Sequence, residues 1–181
     1  MEKNRLAMRL FLASEALFFL LLVLVYGIFH GSPQWGDNGG KLLDPWRTAI
    51  FSAFLLASSL SVHLAHRAWK KKPSKWASIW LGVTLLLGLV FLYGQASEWW
   101  ELVHREVTVS RDLFGASFFT LTGFHGLHVT IGLLMIGILL GLSLSPHAKR
   151  VKPAAVDSIS LFWHFVDGVW VVIFAVVYLW Y

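Results

Sequence analysis

No cysteine occurs anywhere in the 181 residues. That excludes disulfides, thiolate nucleophiles, iron–sulfur clusters and cysteine-based copper or zinc sites. Charge is also scarce. Asp, Glu, Lys and Arg make up 14% of the chain, against about 25% in an ordinary soluble domain. What fills the space is apolar: 57% hydrophobic residues, ten tryptophans and a mean hydropathy of +0.66. The composition is that of an integral membrane protein, and its length leaves no room for a large extramembrane domain. The formal charge of +5 does not argue for nucleic acid as a partner, because in a membrane chain the placement of cations matters more than their sum.

Five apolar segments are long enough to cross a bilayer, at about 7–28, 48–67, 76–96, 114–142 and 158–180. The expected fold is therefore an all-α bundle of five transmembrane helices forming a single domain, 1–181. The first run lacks a small-residue cleavage site before Gly27, so it reads as a retained helix and not a signal peptide. The connection from His30 to Arg47 carries turn chemistry at Asp37, Asn38, Gly39 and Gly40. The next holds Arg67, Lys70, Lys71, Lys72 and Lys75 with no acid. The third, Glu98 to Asp112, is acidic on balance, and the fourth holds Lys149, Arg150 and Lys152 against Asp157. With Lys3, Arg5 and Arg9 at the start, the positive-inside rule puts the N-terminus inside and the C-terminus, Tyr178-Leu-Trp-Tyr181, outside.

Small residues recur at i+4 along the second segment, at Ala49, Ala53, Ala57, Ser61 and Ala65, and Gly137 and Gly141 lie four apart on the fourth. Such stripes let helices approach closely in lipid, so the second segment is expected to meet a neighbour along that face.

Ionisable side chains inside these runs carry the functional signal, since each costs roughly 2.5–3.5 kcal/mol on insertion scales. Glu15 lies ten residues beyond Arg5, roughly 15 Å deeper at 1.5 Å per residue. His125 and His128 on the descending fourth helix, and His164 and Asp167 on the rising fifth, reach a similar inner-half depth. Each pair is spaced i, i+3 and shares a helix face. The expectation is a buried polar layer in which histidines neutralise or hydrogen-bond Glu15 and Asp167. Two readings stand side by side for it: structural ties between helices, or handling of protons or gas.

Other chemistries fit less well. His125 and His128 are too close on one helix to serve as opposite axial haem ligands, although His164 with either remains geometrically possible. A di-iron bundle needs two Glu-x-x-His pairs and two further glutamates. Only Glu101-x-x-His104, with Glu98 one turn earlier, is present. A small transporter or proton channel is the rival class, as intramembrane His and Asp/Glu are typical relay groups. Neither an inverted repeat nor a pair of broken helices supports it.

Five ordered motifs resemble subunit III of the haem–copper terminal oxidases, the cytochrome c oxidase subunit III family. They are Ser14-Glu15-Ala-Leu-Phe-Phe19 with Arg5 ahead of it, Leu-Ala-His66, Gln95-Ala-Ser-Glu98-Trp-Trp100, Thr122-Gly-Phe-His-Gly-Leu-His128 and Trp163-His-Phe-Val-Asp167. Large members have seven helices, so this chain is similar to the compact five-helix bacterial form. The resemblance implies a subunit with no metal or redox centre of its own, haem and copper being held by partner subunits. It implies packing on catalytic subunit I in a complex with subunit II, bound phospholipid, support of proton uptake and durable turnover, and a bacterial plasma membrane. Glu15 is then the buried carboxyl, and His125, His128, His164 and Asp167 frame the core. Arg5 and His66 are placed to meet lipid phosphate, and Gln95 and Glu98 form an outer-surface motif. A related membrane protein associated with nitric oxide reductase shares the same motifs. The electron donor, cytochrome c or quinol, is not written in them.

Overall fold

The computed structural model describes residues 2–36, 42–71, 75–146 and 151–180, and of residues 2–5 and 71 the backbone alone. The expected turn at Asp37–Gly40 falls outside the described residues, as do Lys72, Lys149, Arg150 and Tyr181. Five long helices follow in order: α1 Glu2–Phe29, α2 Pro45–Lys71, α3 Lys75–His104, α4 Leu113–Leu144 and α5 Pro153–Phe174. Each contains a stretch long and apolar enough to cross a membrane. The chain is thus a multi-pass, all-helical membrane protein, with no strand among the described residues.

Local chemistry sets the helix ends. Asp44 accepts hydrogen bonds from the Trp46 and Arg47 amides at 3.1 Å, and Pro45 takes the first helical position of α2. Asp112 caps α4 by accepting from Gly115 N at 2.7 Å. Gly115 is required there, because a β-carbon would run into the Thr108 carbonyl. Helix α3 closes in a Schellman turn: Val107 N donates to Leu102 O and Glu106 N to Val103 O, with Glu106 in the left-handed region at φ 60°.

The helices run past the expected apolar spans: α1 begins five residues earlier, at Glu2, and α2 covers Pro45–Lys71. Helix α3 continues to His104, eight residues past the apolar run, because Glu98 and Glu101 lower hydropathy without disfavouring a helix. Helix α5 begins at Pro153 and widens into a π-turn over Ala175–Leu179. That turn leaves Val177 and Tyr178 facing inward. Helix α4, with 32 residues, is roughly 48 Å long at 1.5 Å per residue, more than a hydrocarbon core of about 30 Å requires.

Helices α2, α3, α4 and α5 pack around Trp163. Its indole is fully buried. The ring edge fits between Gly88 of α3 and Gly132 of α4, either of which would crowd it with a β-carbon. Its Nε1 donates to Ser58 Oγ of α2 at 2.9 Å. The expected small stripe of α2 is turned partly away from this core. Ala53 and Ala57 are exposed, Ser61 and Ala65 of the stripe are buried, and Thr48, Ser52, Leu55, Ser58 and Val62 are buried beside them. Two hydroxyls outside the stripe explain the rotation, since Ser52 and Ser58 each accept from a tryptophan of α5, while Ser61 of the stripe meets Thr84 of α3. Close approach on α4 occurs at Gly132; Gly137 meets only Leu85 at 3.9 Å, and nothing lies within 4 Å of a β-carbon at Gly141.

Candidate functional site

The polar residues expected in one layer form separate contacts between helices and not a continuous layer. Glu15 of α1 and His128 of α4 meet, His128 Nε2 to Glu15 Oε2, at 3.0 Å. Their side chains are 23% and 12% exposed, so the pair lies near the surface of the isolated chain. His128 Nδ1 turns to the Phe124 carbonyl at 2.7 Å, and Phe19 packs edge-on against the ring. Nδ1 therefore carries the proton, because a carbonyl can only accept, and Nε2 is left to accept from a protonated Glu15 or donate to an ionised one.

His125, one turn earlier, has a different environment. It is completely buried, stacked on Trp170 at 4.8 Å and met edge-on by Phe91 at 5.9 Å. Neither ring nitrogen has a hydrogen-bond partner. The shared face of His125 and His128 thus serves an aromatic box on one turn and a carboxyl on the next.

On α5, His164 Nδ1 is 2.7 Å from Ser59 Oγ of α2, with the His63 ring 6.4 Å away. Asp167 is 4% exposed and faces Ser59, but neither of its oxygens reaches hydrogen-bond geometry. The expectation that histidines satisfy both buried acids is met at Glu15 and corrected at Asp167. The i, i+3 partner His164 directs its Nδ1 to Ser59 instead. Nearer the C-terminal end of α2, His66 Nε2 and Asp157 Oδ1 pair at 2.5 Å between α2 and α5. The side chain of Arg5 lies outside the described residues.

The half of the bundle where α3 ends and α2 and α4 begin holds a second cluster that the sequence marked only at Gln95 and Glu98. Glu98 accepts from Thr48 at 3.0 Å and from Tyr178, in the π-turn, at 2.6 Å. Arg47 joins Glu101 and Ser97, both at 2.9 Å, and Arg105 reaches Glu101 from one turn below. Gln95 donates to the Thr122 carbonyl at 2.7 Å. Arg47, Thr48 and Tyr178 were not anticipated. Arg47, the cation at the start of α2, opposite the acidic end of α3, was the available signal. A groove of about 350 Å³ between α1 and α5, walled by Ala16, Phe19, Leu20, Phe165, Gly168 and Val172, is almost wholly apolar.

Among the described residues no three His, Asp or Glu side chains converge as a metal site would require. His125 is enclosed by rings, and His128, His164 and His66 are each turned to a different partner, so they do not fit a shared haem or metal. The arrangement is that of a polytopic membrane bundle whose buried polar groups join helices pairwise.

The chain belongs to the cytochrome c oxidase subunit III family, whose model matches residues 1–181. It is 38% identical over 172 residues to a cytochrome c oxidase subunit 3 of Synechocystis, covering 94% of this chain and 72% of the relative. A cytochrome c oxidase subunit 3 of Corynebacterium diphtheriae is 35% identical over 93% of this chain and 83% of its own length. A cytochrome bo(3) ubiquinol oxidase subunit 3 of Pseudomonas aeruginosa is 34% identical over 94% and 81%.

Proposed function

We propose that this chain is the accessory, non-catalytic subunit III of a proton-pumping haem–copper terminal oxidase in aerobic respiration. The family match along the whole chain carries the reading, with relatives named as subunit 3 of both cytochrome c and ubiquinol oxidases. The chain would seat on catalytic subunit I, with subunit II in the same complex, in a bacterial plasma membrane. Haem and copper belong to those partners. The cation-rich loops after α2 and α4 support an inside N-terminus and an outside C-terminus.

Within that role, Glu15–His128 ties α1 to α4, and His164 with Ser59 ties α5 to α2. Arg5 and His66 are proposed as inner-surface contacts for phospholipid, which suits cationic side chains near anionic headgroups; Asp157 then orients His66. Support of proton uptake and durable turnover follows from holding the catalytic subunit's inner face in place.

The test is mild-detergent purification of the tagged chain from its native membrane, followed by a reduced-minus-oxidised haem spectrum. Haem a or haem o with stoichiometric large partners is the expected result. Haem b with non-haem iron and nitric oxide reductase activity would move the chain to that complex. A colourless chain arriving alone, under conditions that preserve oxidase complexes, would overturn the assignment in favour of a transporter.

A further inference from the structure

Where α2, α3 and α5 meet in the outer half, the structure encloses a cavity of about 10 Å³, room for the centre of one water molecule. A buried water needs roughly 10–15 Å³ of such space and two to four polar partners. Arg47, Thr48, Gln95 and Glu98 form the polar wall, with Phe51 and Phe91 among the apolar remainder.

Gln95, a residue of that wall, carries an atom that requires a donor. Gln95 Oε1 is buried and has no hydrogen-bond partner. Rotating the amide does not relieve it. Nε2 donates to the Thr122 carbonyl at 2.7 Å, and a flipped amide would set oxygen against oxygen. The Thr122 carbonyl therefore fixes the orientation that leaves Oε1 without a protein donor. The other wall groups have capacity to spare. Glu98 accepts one bond on each oxygen, from Thr48 and Tyr178, and each oxygen has a further lone pair. Arg47 uses one N–H toward Glu101 and one toward Ser97, out of five.

We propose that this cavity is a binding site for a single ordered water, which donates one hydrogen to Gln95 Oε1 and the other to Glu98 and accepts from the Arg47 guanidinium. Each hydrogen and lone pair so assigned matches an available partner. The water joins the Arg105–Glu101–Arg47 cluster to Glu98 and links both to Gln95, and so to the Thr122 carbonyl of α4. The ends of α2, α3 and α5 and the middle of α4 then share one hydrogen-bonded chain. That chain stops one helical turn from His125, whose aromatic box admits no link. This site is independent of the oxidase assignment, since it uses only groups of this chain.

The test is a cryo-electron-microscopy map of the chain, purified with whatever partners it retains, at a resolution that shows other buried waters. The expected result is a density peak about 2.6–3.2 Å from Gln95 Oε1, on the side of Glu98. Gln95→Leu should lose the peak and Gln95→Glu should keep it. No peak in the parent map, while equally buried waters are visible elsewhere, overturns the proposal. So does a protein donor reaching Oε1, or a peak that survives Gln95→Leu, which would assign the water to Glu98 and Thr48 alone.

Discussion

Three glycines test whether Trp163 is the wedge on which the bundle closes. A β-carbon at Gly132 would lie 2.8 Å from Trp163 Cε3 and 2.9 Å from Cζ3. At Gly141, on the same helix, nothing stands within 4 Å. Both positions are helical, so Gly→Ala brings the same intrinsic gain, about 0.5–1 kcal/mol. Overpacking a filled core costs about 1–3 kcal/mol, and only Gly132→Ala incurs it. The indole cannot yield cheaply, because it is rigid, fully buried and held by Ser58 on its far side. The expected difference between the two variants is therefore about 1–3 kcal/mol, with Gly132→Ala the less stable. Gly88→Ala should fall between them: its nearest clash, at 2.6 Å, is with the terminal methyl of Leu133, and its approach to Trp163 is 3.0 Å. Thermal unfolding in detergent, followed by the near-ultraviolet circular dichroism of the tryptophans, measures all three. Equal stability of Gly132→Ala and Gly141→Ala would refute the claim that Trp163 sits in a glycine slot.

Tyr178→Phe removes the hydroxyl that reaches Glu98 from the π-turn. It should cost roughly 1 kcal/mol, and hydrogen exchange should rise at the end of α5 before it rises elsewhere. Glu106→Gly should stabilise by about 1 kcal/mol, since a side chain at φ 60° carries a left-handed penalty of about 1–2 kcal/mol that glycine avoids. The unfolding midpoint of that variant, shifted upward, is the check. Glu15→Gln keeps an oxygen and an N–H within reach of His128 and should leave stability close to the parent's. Glu15→Leu should lose about 0.6–1.7 kcal/mol, the span measured for hydrogen bonds between helices in a membrane. Identical midpoints for Gln and Leu at this position would remove the tie between α1 and α4.

The five spans were legible because a bilayer imposes a length and a hydropathy that no soluble helix needs together. Facing was not legible in the same way. Hydropathy says that α2 crosses the membrane, but lipid is as apolar as the core, so it cannot say which side turns inward. The small stripe suggested one face; Ser52 and Ser58, each bonded to a tryptophan of α5, turned a neighbouring face inward, leaving Ala53 and Ala57 exposed and Ser61 and Ala65 buried. The same blindness hid Trp163, whose importance depends on glycines 75 and 31 residues away in the chain. Ionisable residues were easier to find than to pair. Counting 1.5 Å per residue brought Glu15 and His128 to one level correctly, yet depth alone could not distinguish His128, which reaches Glu15, from His125, which is closed off by Phe91 and Trp170.

Helix α1 shows how these two kinds of information combine. It is the least covered of the five: 17% of its apolar window is buried, against 39% for α2 and α5. Leu10, Leu17, Leu21, Leu24 and Ile28 all face outward. In water such a helix would be loosely held, but in lipid exposed leucines carry no penalty, and buried ones contribute little beyond packing. Its position must then come from specific contacts. Four of these are Phe18 against Phe124, Phe19 against His128, the Glu15–His128 bond, and Tyr26 against Trp35. Only one of the four is a hydrogen bond between helices, and it lies beside the apolar groove that separates α1 from α5. A carboxyl at this depth is expensive to insert, and the partner that offsets the cost is on a different helix. The expense therefore works as specificity: any register or rotation of α1 that loses His128 leaves Glu15 facing hydrocarbon, and is disfavoured for that reason.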